Sequence, residues 1–268
     1  MIAAPIALMT DFGLRDPFVG IMKGVILGIN PSALIVDVSH EIAPGDIRGA
    51  AFALDMAFPY FPADTIFAVV VDPGVGTERR GVAARIGERT VVCPDNGLLT
   101  WVLRNRGLTS AVELAKREYF LPKVSDTFHG RDVFAPVAAH LSTGVRLEDL
   151  GPRIEDLTTF EIAEVVIADR SIQGEIVYVD RFGNLISNIA REQFDDWRPS
   201  ADGVSVRVHI GSAEIQGISR TYSDAPRGHA AAVFGSAGFL EIATNGGSAA
   251  ESFGASVGSR VSVYQLPG

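Results

Sequence analysis

The chain has 268 residues, 47% of them apolar and 21% charged, which supports one large or two modest folded domains and excludes a disordered polypeptide. Its formal net charge of −9 argues against a nucleic-acid binder, which carries a basic face, and against docking on an anionic membrane. The single cysteine, Cys93, excludes an intrachain disulfide and fits a reducing, cytoplasmic setting.

The first residues carry no positive cluster, and Thr10-Asp11 cuts the opening apolar run short, so no secretory signal is expected. No apolar stretch approaches the length of a membrane span. Ile6 to Met9 reads as a strand ending in the turn Thr10-Asp11-Phe12-Gly13. Phe18, Ile21, Met22, Val25, Ile26 and Ile29 have helical spacing, stopped by Pro31. A second strand is expected over Ala33–Val38, and a helix over Asp46–Phe58 with Asp46 at its start. Thr65 to Val71 is nearly all apolar, as in a central strand buried on both faces. Val82–Ile86 and Thr90–Cys93 form a hairpin around Gly87-Glu88, and helices follow over Leu98–Arg104 and Val133–Leu141.

Strands alternating with helices predict an α/β N-terminal domain, residues 1–160, with a largely parallel central sheet. Leu147 to Thr159 is a polar connection. Beyond it the segments are short and strand-like: Glu175–Val179, Leu185–Ile189, Val204–Ile210, Ala231–Phe234 and Val261–Tyr264. They predict a smaller all-β, barrel-like C-terminal domain over 170–268.

Three clusters stand at turns. Asp11 closes the first strand, where open α/β sheets gather ligands, although an Asp there also serves as a helix N-cap. Asp72-Pro73-Gly74-Val75-Gly76-Thr77-Glu78-Arg79-Arg80 follows the longest apolar strand. It matches neither a P-loop nor a dinucleotide fingerprint, and Asp72 can pair with Arg79 or Arg80. Asp126-Thr127-Phe128-His129-Gly130-Arg131-Asp132 packs a histidine, an aromatic, an arginine and two carboxylates just before a helix, which points to a site. Asp180-Arg181-Phe182-Gly183-Asn184 reads equally as a hairpin turn, and Ser236 and Thr244–Ser248 are similar loop-type segments.

Taken together, TDFGLRDPFVG (10–20), DPGVGTERR (72–80), PDNGLLT (94–100), TFHGRDVFAP (127–136), DRFGNLISNI (180–189) and GFLEIATNGGSA (238–249) resemble the S-adenosyl-L-methionine hydroxide adenosyltransferase family, hydrolytic relatives of the fluorinase and chlorinase. The resemblance spans almost the whole chain. It implies a homotrimer with substrate held between the N-terminal domain of one subunit and the C-terminal domain of its neighbour. The activity it implies is S-adenosyl-L-methionine plus water giving adenosine and L-methionine.

Carried over by motif, Asp72, Arg79 and His129 match the set that handles water, and Asp11 matches the ribose-binding carboxylate. Asp16 and Asp180 match groups near the methionine amine, and Ser236 one near its carboxylate. Phe182 and Tyr222 match aromatics flanking adenine, with Phe128 also assigned to substrate binding. Asn184, Asn245 and Gly246 match positions that read or line the base pocket. Two positions depart from the fluorinase-like pattern: Gly45 stands in the segment where a Trp occurs, and Gly235 where an Asn is expected.

The halogenases resemble a pattern with Tyr at the positions of Asp72 and His129, and an ionised Asp72 would repel a halide. The insertion typical of fluorinases, after the strand ending near Arg85, is absent from the sequence. A sulfonium leaves as a neutral thioether, so no general acid, metal or cofactor beyond the substrate is expected. Asp72 and His129 would hold the water, with His129, of ordinary pKa roughly 6.5, as the better proton acceptor. Arg79 would fix Asp72. The rival readings are a halogenase, a non-catalytic binder of S-adenosyl-L-methionine or adenosine, and a metal-dependent hydrolase using Asp11, His40, Asp72 and His129.

Overall fold

The computed structural model describes residues 4–197 and 205–266, divided into two compact units that meet in sequence at Phe160 and Glu161. The first contains β1 (Ile6–Thr10), α1 (Phe18–Ile29), β2 (Ile35–Ser39), α2 (Ile47–Ala57), β3 (Ile66–Val70), β4 (Gly81–Ile86), β5 (Arg89–Pro94), α3 (Thr100–Arg106), β6 (Ser110–Glu113), α4 (Ala135–Ser142) and β7 (Arg153–Ile154).

Its seven strands are ordered β2-β1-β3-β5-β4-β6-β7. The pairs β1/β2, β1/β3 and β3/β5 are parallel, and β4, β6 and β7 add on antiparallel. Five of the seven strands (β2, β1, β3, β5, β6) therefore point the same way, and the sheet is largely parallel as expected. Alternation along the strands feeds two cores. Ile6, Leu8, Ala68 and Val70 join Met22 and Ile26 of α1 and Val137 and Ala138 of α4. Ala7, Met9, Phe67 and Val69 join Leu54 of α2 and Val102 of α3. Truncating a fully buried ring such as Phe67 to Ala would cost about 3–5 kcal/mol.

Local signals set several boundaries. Asp46 caps α2 by accepting from Gly49 N at 2.9 Å, as the sequence predicts. The helix expected from Leu98 starts at Thr100, because Leu98 and Leu99 are buried in the preceding turn. The helix expected from Val133 is preceded by a π-helical turn, Gly130–Phe134, that runs directly into α4. The connection after residue 146 is not structureless: it holds a 3₁₀ turn at Leu147–Leu150 and the short β7.

The second unit contains β8 (Val166–Ala168), β9 (Ser171–Val179), β10 (Leu185–Ala190), α5 (Arg191–Trp197), β11 (Val206–Ile210), β12 (Ala213–Gln216), β13 (Ala230–Phe234), β14 (Phe239–Thr244), α6 (Ala249–Phe253) and β15 (Arg260–Gln265). All of its strand pairs are antiparallel, in the order β12-β11-β15-β9-β10-β14-β13 with β8 on β9. Ser219 N donates to Ala232 O at 2.8 Å, drawing the segment after β12 onto β13 and nearly closing a barrel. Ile172, Ile176, Leu185, Val208, Leu240, Ile242, Val261 and Val263 fill it. Val204, where the third strand of this part was expected to start, lies outside the described residues.

Candidate active site

Asp72 lies just beyond β3, whose five residues are all buried. Asn96 Nδ2 donates to the Val71 carbonyl at 2.9 Å and secures that strand end. The chain then turns back into β4 through bonds from Val75 N to Asp72 O and from Thr77 N to Gly74 O, both 3.2 Å. Consecutive side chains just before β4 diverge. Arg80 goes to Asp95, with Nη2 at 2.6 Å, and to Asp156 at 3.0 Å. Arg79 goes to Asp72, donating from Nε to Oδ1 at 2.8 Å and from Nη2 to Oδ2. The pairing left open by the sequence is thus Asp72 with Arg79.

His129 comes from a different loop, and one buried carboxylate organises it. Asp132 is fully buried and accepts from Ser125 N and Ser125 Oγ, both at 2.8 Å, and from Arg131 Nε at 2.6 Å. Burial alone would raise the Asp132 pKa, but the bonds from Arg131 and Ser125 prevail and hold it below the usual carboxylate value. The two loops dock at Gly76, whose φ is +79° and where any Cβ would run into the Asp126 carbonyl. His129 then opens the π-turn, a backbone irregularity common at functional sites.

The result is a continuous Asp72–Arg79–His129 array. Arg79 Nη2 lies 2.7 Å from His129 Nδ1. The side chains of Asp72 and Arg79 are only 5% and 12% exposed, so their pairing is largely desolvated. Arginine has no acceptor, so His129 Nδ1 must accept, and by elimination the neutral ring carries its proton on Nε2. Burial, and then the Arg79 charge, lower the His129 pKa from its ordinary value. The sequence expectation that His129 accepts the proton meets a geometric obstacle: its one lone pair is already taken by Arg79. Asp72 keeps a free lone pair on each oxygen, since each accepts one bond from Arg79.

Asp11 does not cap α1, whose N-cap is Pro17. Its Oδ2 instead accepts from Gly45 N at 2.8 Å. Gly45 in turn lies against Pro73, so Asp11 borders the Asp72 loop. Asp16 is exposed on the turn before α1. Phe128 forms an edge-to-face cluster with Phe12 and Phe18, at centroid distances of 5.7 and 5.4 Å. His40, considered as a metal ligand, sits with Nδ1 2.9 Å from Thr10 Oγ1 and Nε2 3.0 Å from Asp37. Among the described residues no group of three or more His, Cys, Asp or Glu is placed to hold a metal ion.

The other seven candidates belong to the second unit. Asp180 is committed to its own turn: it accepts from Phe182 N at 2.8 Å, Asn184 N at 2.9 Å and Asn184 Nδ2 at 2.8 Å. That turn leaves Phe182 75% exposed, while Asn184 is buried. Tyr222 donates to Glu241 Oε2 at 2.6 Å. Asn245 Nδ2 donates to Ala225 O at 2.7 Å. Ser236 and Gly246 are exposed. Sequence reasoning missed Glu241, and it counted Asp132 among the carboxylates of the cluster before the helix without giving it a role. The one signal for Glu241 was a lone charge in the apolar run Phe239-Leu240-Glu241-Ile242-Ala243.

Comparison with known proteins decides the family. Residues 6–151 match the SAM hydroxide adenosyltransferase N-terminal domain, and residues 174–262 match the C-terminal domain of the same family. The chain belongs to the SAM hydroxide adenosyltransferase family. It is 40% identical to the (R)-S-adenosyl-L-methionine hydrolase of Thermus thermophilus, over 93% of this chain and 95% of the relative. It is 31% identical to the fluorinase of Nocardia brasiliensis, over 96% of each chain. A solved structure, an uncharacterized conserved protein from Thermotoga maritima, superposes with a TM-score of 0.90 at 39% identity, covering 97% of this chain and 99% of the other.

Proposed function

We propose that this protein is an S-adenosyl-L-methionine hydrolase, forming adenosine and L-methionine by in-line attack of water on the ribose 5′ carbon. The observation that carries the reading is the Asp72–Arg79–His129 array. Relatives named as hydrolases, at about 40% identity, support the same activity. The thioether leaves neutral, so catalysis consists of orienting a water, excluding other solvent and removing one proton. In this scheme the water accepts from His129 Nε2–H and donates to Asp72. As the C5′–O bond forms and the C5′–S bond breaks, the electron pair of the latter goes to sulfur and the water's proton to Asp72. Arg79 holds both partners and balances the carboxylate's charge. No cofactor beyond the substrate and no metal enters the scheme.

Asp11 is the candidate for the ribose hydroxyls, and Asp16, Phe128, Asp180, Phe182, Asn184, Tyr222, Ser236, Asn245 and Gly246 for the rest of the substrate. Because Asp180 and Asn184 already bond within their own turn and Asn245 holds the Ala225 carbonyl of the Tyr222 turn, their role is to shape those loops as much as to touch the ligand. A homotrimer with sites at subunit interfaces and a cytoplasmic setting are part of the same proposal. No described helix is long and apolar enough to cross a membrane. Chromatographic identification of products from S-adenosyl-L-methionine, with and without excess chloride or fluoride, tests the reading. Adenosine in every case is the expected result, and a halogenated nucleoside, or binding without turnover, would refute it.

A further inference from the structure

The residues so far assigned to substrate leave out the most deeply buried carboxyl of the barrel unit's outer face. Glu241 is 6% exposed in the middle of β14, between Leu240 and Ile242, which both enter the barrel core. Alternation turns Glu241 the other way, between its register partners Ile186 on β10 and Val233 on β13. The space it fills exists because residue 235 is glycine: a Cβ there would overlap the Glu241 carboxyl. Burying a carboxyl costs free energy unless it is engaged, and its Oε2 accepts from the Tyr222 hydroxyl.

Tyr222 needs that partner. It sits in a 3₁₀ turn, Tyr222–Asp224, and is itself 42% exposed, so core packing does not hold its ring. The backbone of the turn is well fixed. Thr221 Oγ1 and Asp224 close a capping box, Arg220 N and Thr221 N donate to Asp224 Oδ2 at 2.9 and 3.0 Å, and Asn245 Nδ2 takes the Ala225 carbonyl at 2.7 Å. None of these bonds fixes the side-chain torsions of Tyr222. The 2.6 Å bond to Glu241 does.

We propose that Glu241 is a positioning residue for substrate recognition: it clamps the Tyr222 ring, through its hydroxyl, in the attitude in which that ring meets the purine base. The proposal rests on the reading of Tyr222 as a base-contacting aromatic. A rigid ring binds a planar base without first losing rotamer freedom, so the clamp lowers the ordering cost of binding. It also makes tyrosine, rather than phenylalanine, the residue the site requires. Burial raises the Glu241 pKa, with the Asp180 charge acting in the same direction and the Tyr222 bond opposing both. The Tyr222 pKa is raised as well, by burial and by Glu241, so its proton stays on the phenol oxygen as donor.

The test uses the full chain and adenosine as the probe, titrated by calorimetry into wild type, E241L, E241Q, Y222F and the double variant E241L/Y222F. KM and kcat with S-adenosyl-L-methionine are measured alongside. A lost hydrogen bond to a charged acceptor predicts about tenfold weaker adenosine binding for E241L and for Y222F. The change should fall in KM rather than kcat, the double variant should be no weaker than either single one, and E241Q, which keeps an acceptor oxygen, should recover most of the affinity. Wild-type affinity in Y222F or E241L, additive losses in the double variant, or a wild-type protein that does not bind adenosine would overturn the proposal. If E241L does not fold, Y222F removes the same bond with the ring kept, and its affinity decides. Absent turnover of S-adenosyl-L-methionine by the wild type would count against the hydrolase reading alone, because the adenosine titration reads the clamp without it.

Discussion

Arg79 joins two loops by one guanidinium: its Nη2 reaches His129 Nδ1 at 2.7 Å while its Nε holds Asp72 Oδ1 at 2.8 Å. This fork requires a planar group with several fixed donors, which lysine lacks. Arg79→Lys should therefore lower kcat on the order of 10²-fold or more, with a smaller change in KM. Steady-state kinetics check it, and a Lys variant with wild-type kcat would show that charge alone suffices.

The same contact sets the pH behaviour. Burial and the Arg79 charge hold the His129 pKa below its ordinary value, about 6.5. Protonation would place a hydrogen on Nδ1 facing the Arg79 N–H, breaking the array. Turnover should stay level as pH falls through about 6.5 and decline only below it. An acid limb centred at or above that value would contradict the assignment. Because the unfolded chain takes up this proton first, the His129 contribution to stability is complete above about pH 6.5 and is lost as pH falls from there toward the lower folded-state value. Denaturant titrations of wild type and His129→Asn across this window should show the shallower pH dependence in the variant.

Asp72→Asn keeps the shape of the side chain and removes its charge and its capacity to accept the water's proton. Loss of such a group should cost about 10²–10⁴-fold in kcat. Adenosine binding, read by calorimetry, should change little by comparison. A variant with near-wild-type kcat would remove Asp72 from proton transfer.

Asp132 touches no substrate in this account, yet it holds Ser125 N, Ser125 Oγ and Arg131 around the loop that ends in His129. Asp132→Ala strands those donors, a loss of about 3 kcal/mol or more. It should lower the denaturation midpoint and kcat together. An unchanged midpoint would show that the loop is held by other contacts.

The sheet and its helices were legible because their signals are local: Thr65–Val71 is apolar throughout, and Phe18–Ile29 repeats at helical spacing. β14 was missed because Glu241 interrupts its apolar run, and the reason that charge is tolerated, the Tyr222 hydroxyl, lies 19 residues away in sequence. The candidate site was legible as residue types on separate loops. Its geometry was not. Arg79 and His129 are 50 residues apart, and their loops meet where Gly76 docks under the Asp126 carbonyl. The tautomer of His129 was likewise hidden, since a histidine's free nitrogen depends on which neighbour uses the other.

In the proposed reaction, water held by Asp72 and His129 attacks the 5′ carbon. Incubation with S-adenosyl-L-methionine in oxygen-18 water, followed by mass spectrometry of both products, tests it most directly. Adenosine carrying one oxygen-18 at its 5′ position, with unlabelled methionine, is the predicted result. Unlabelled adenosine would contradict it.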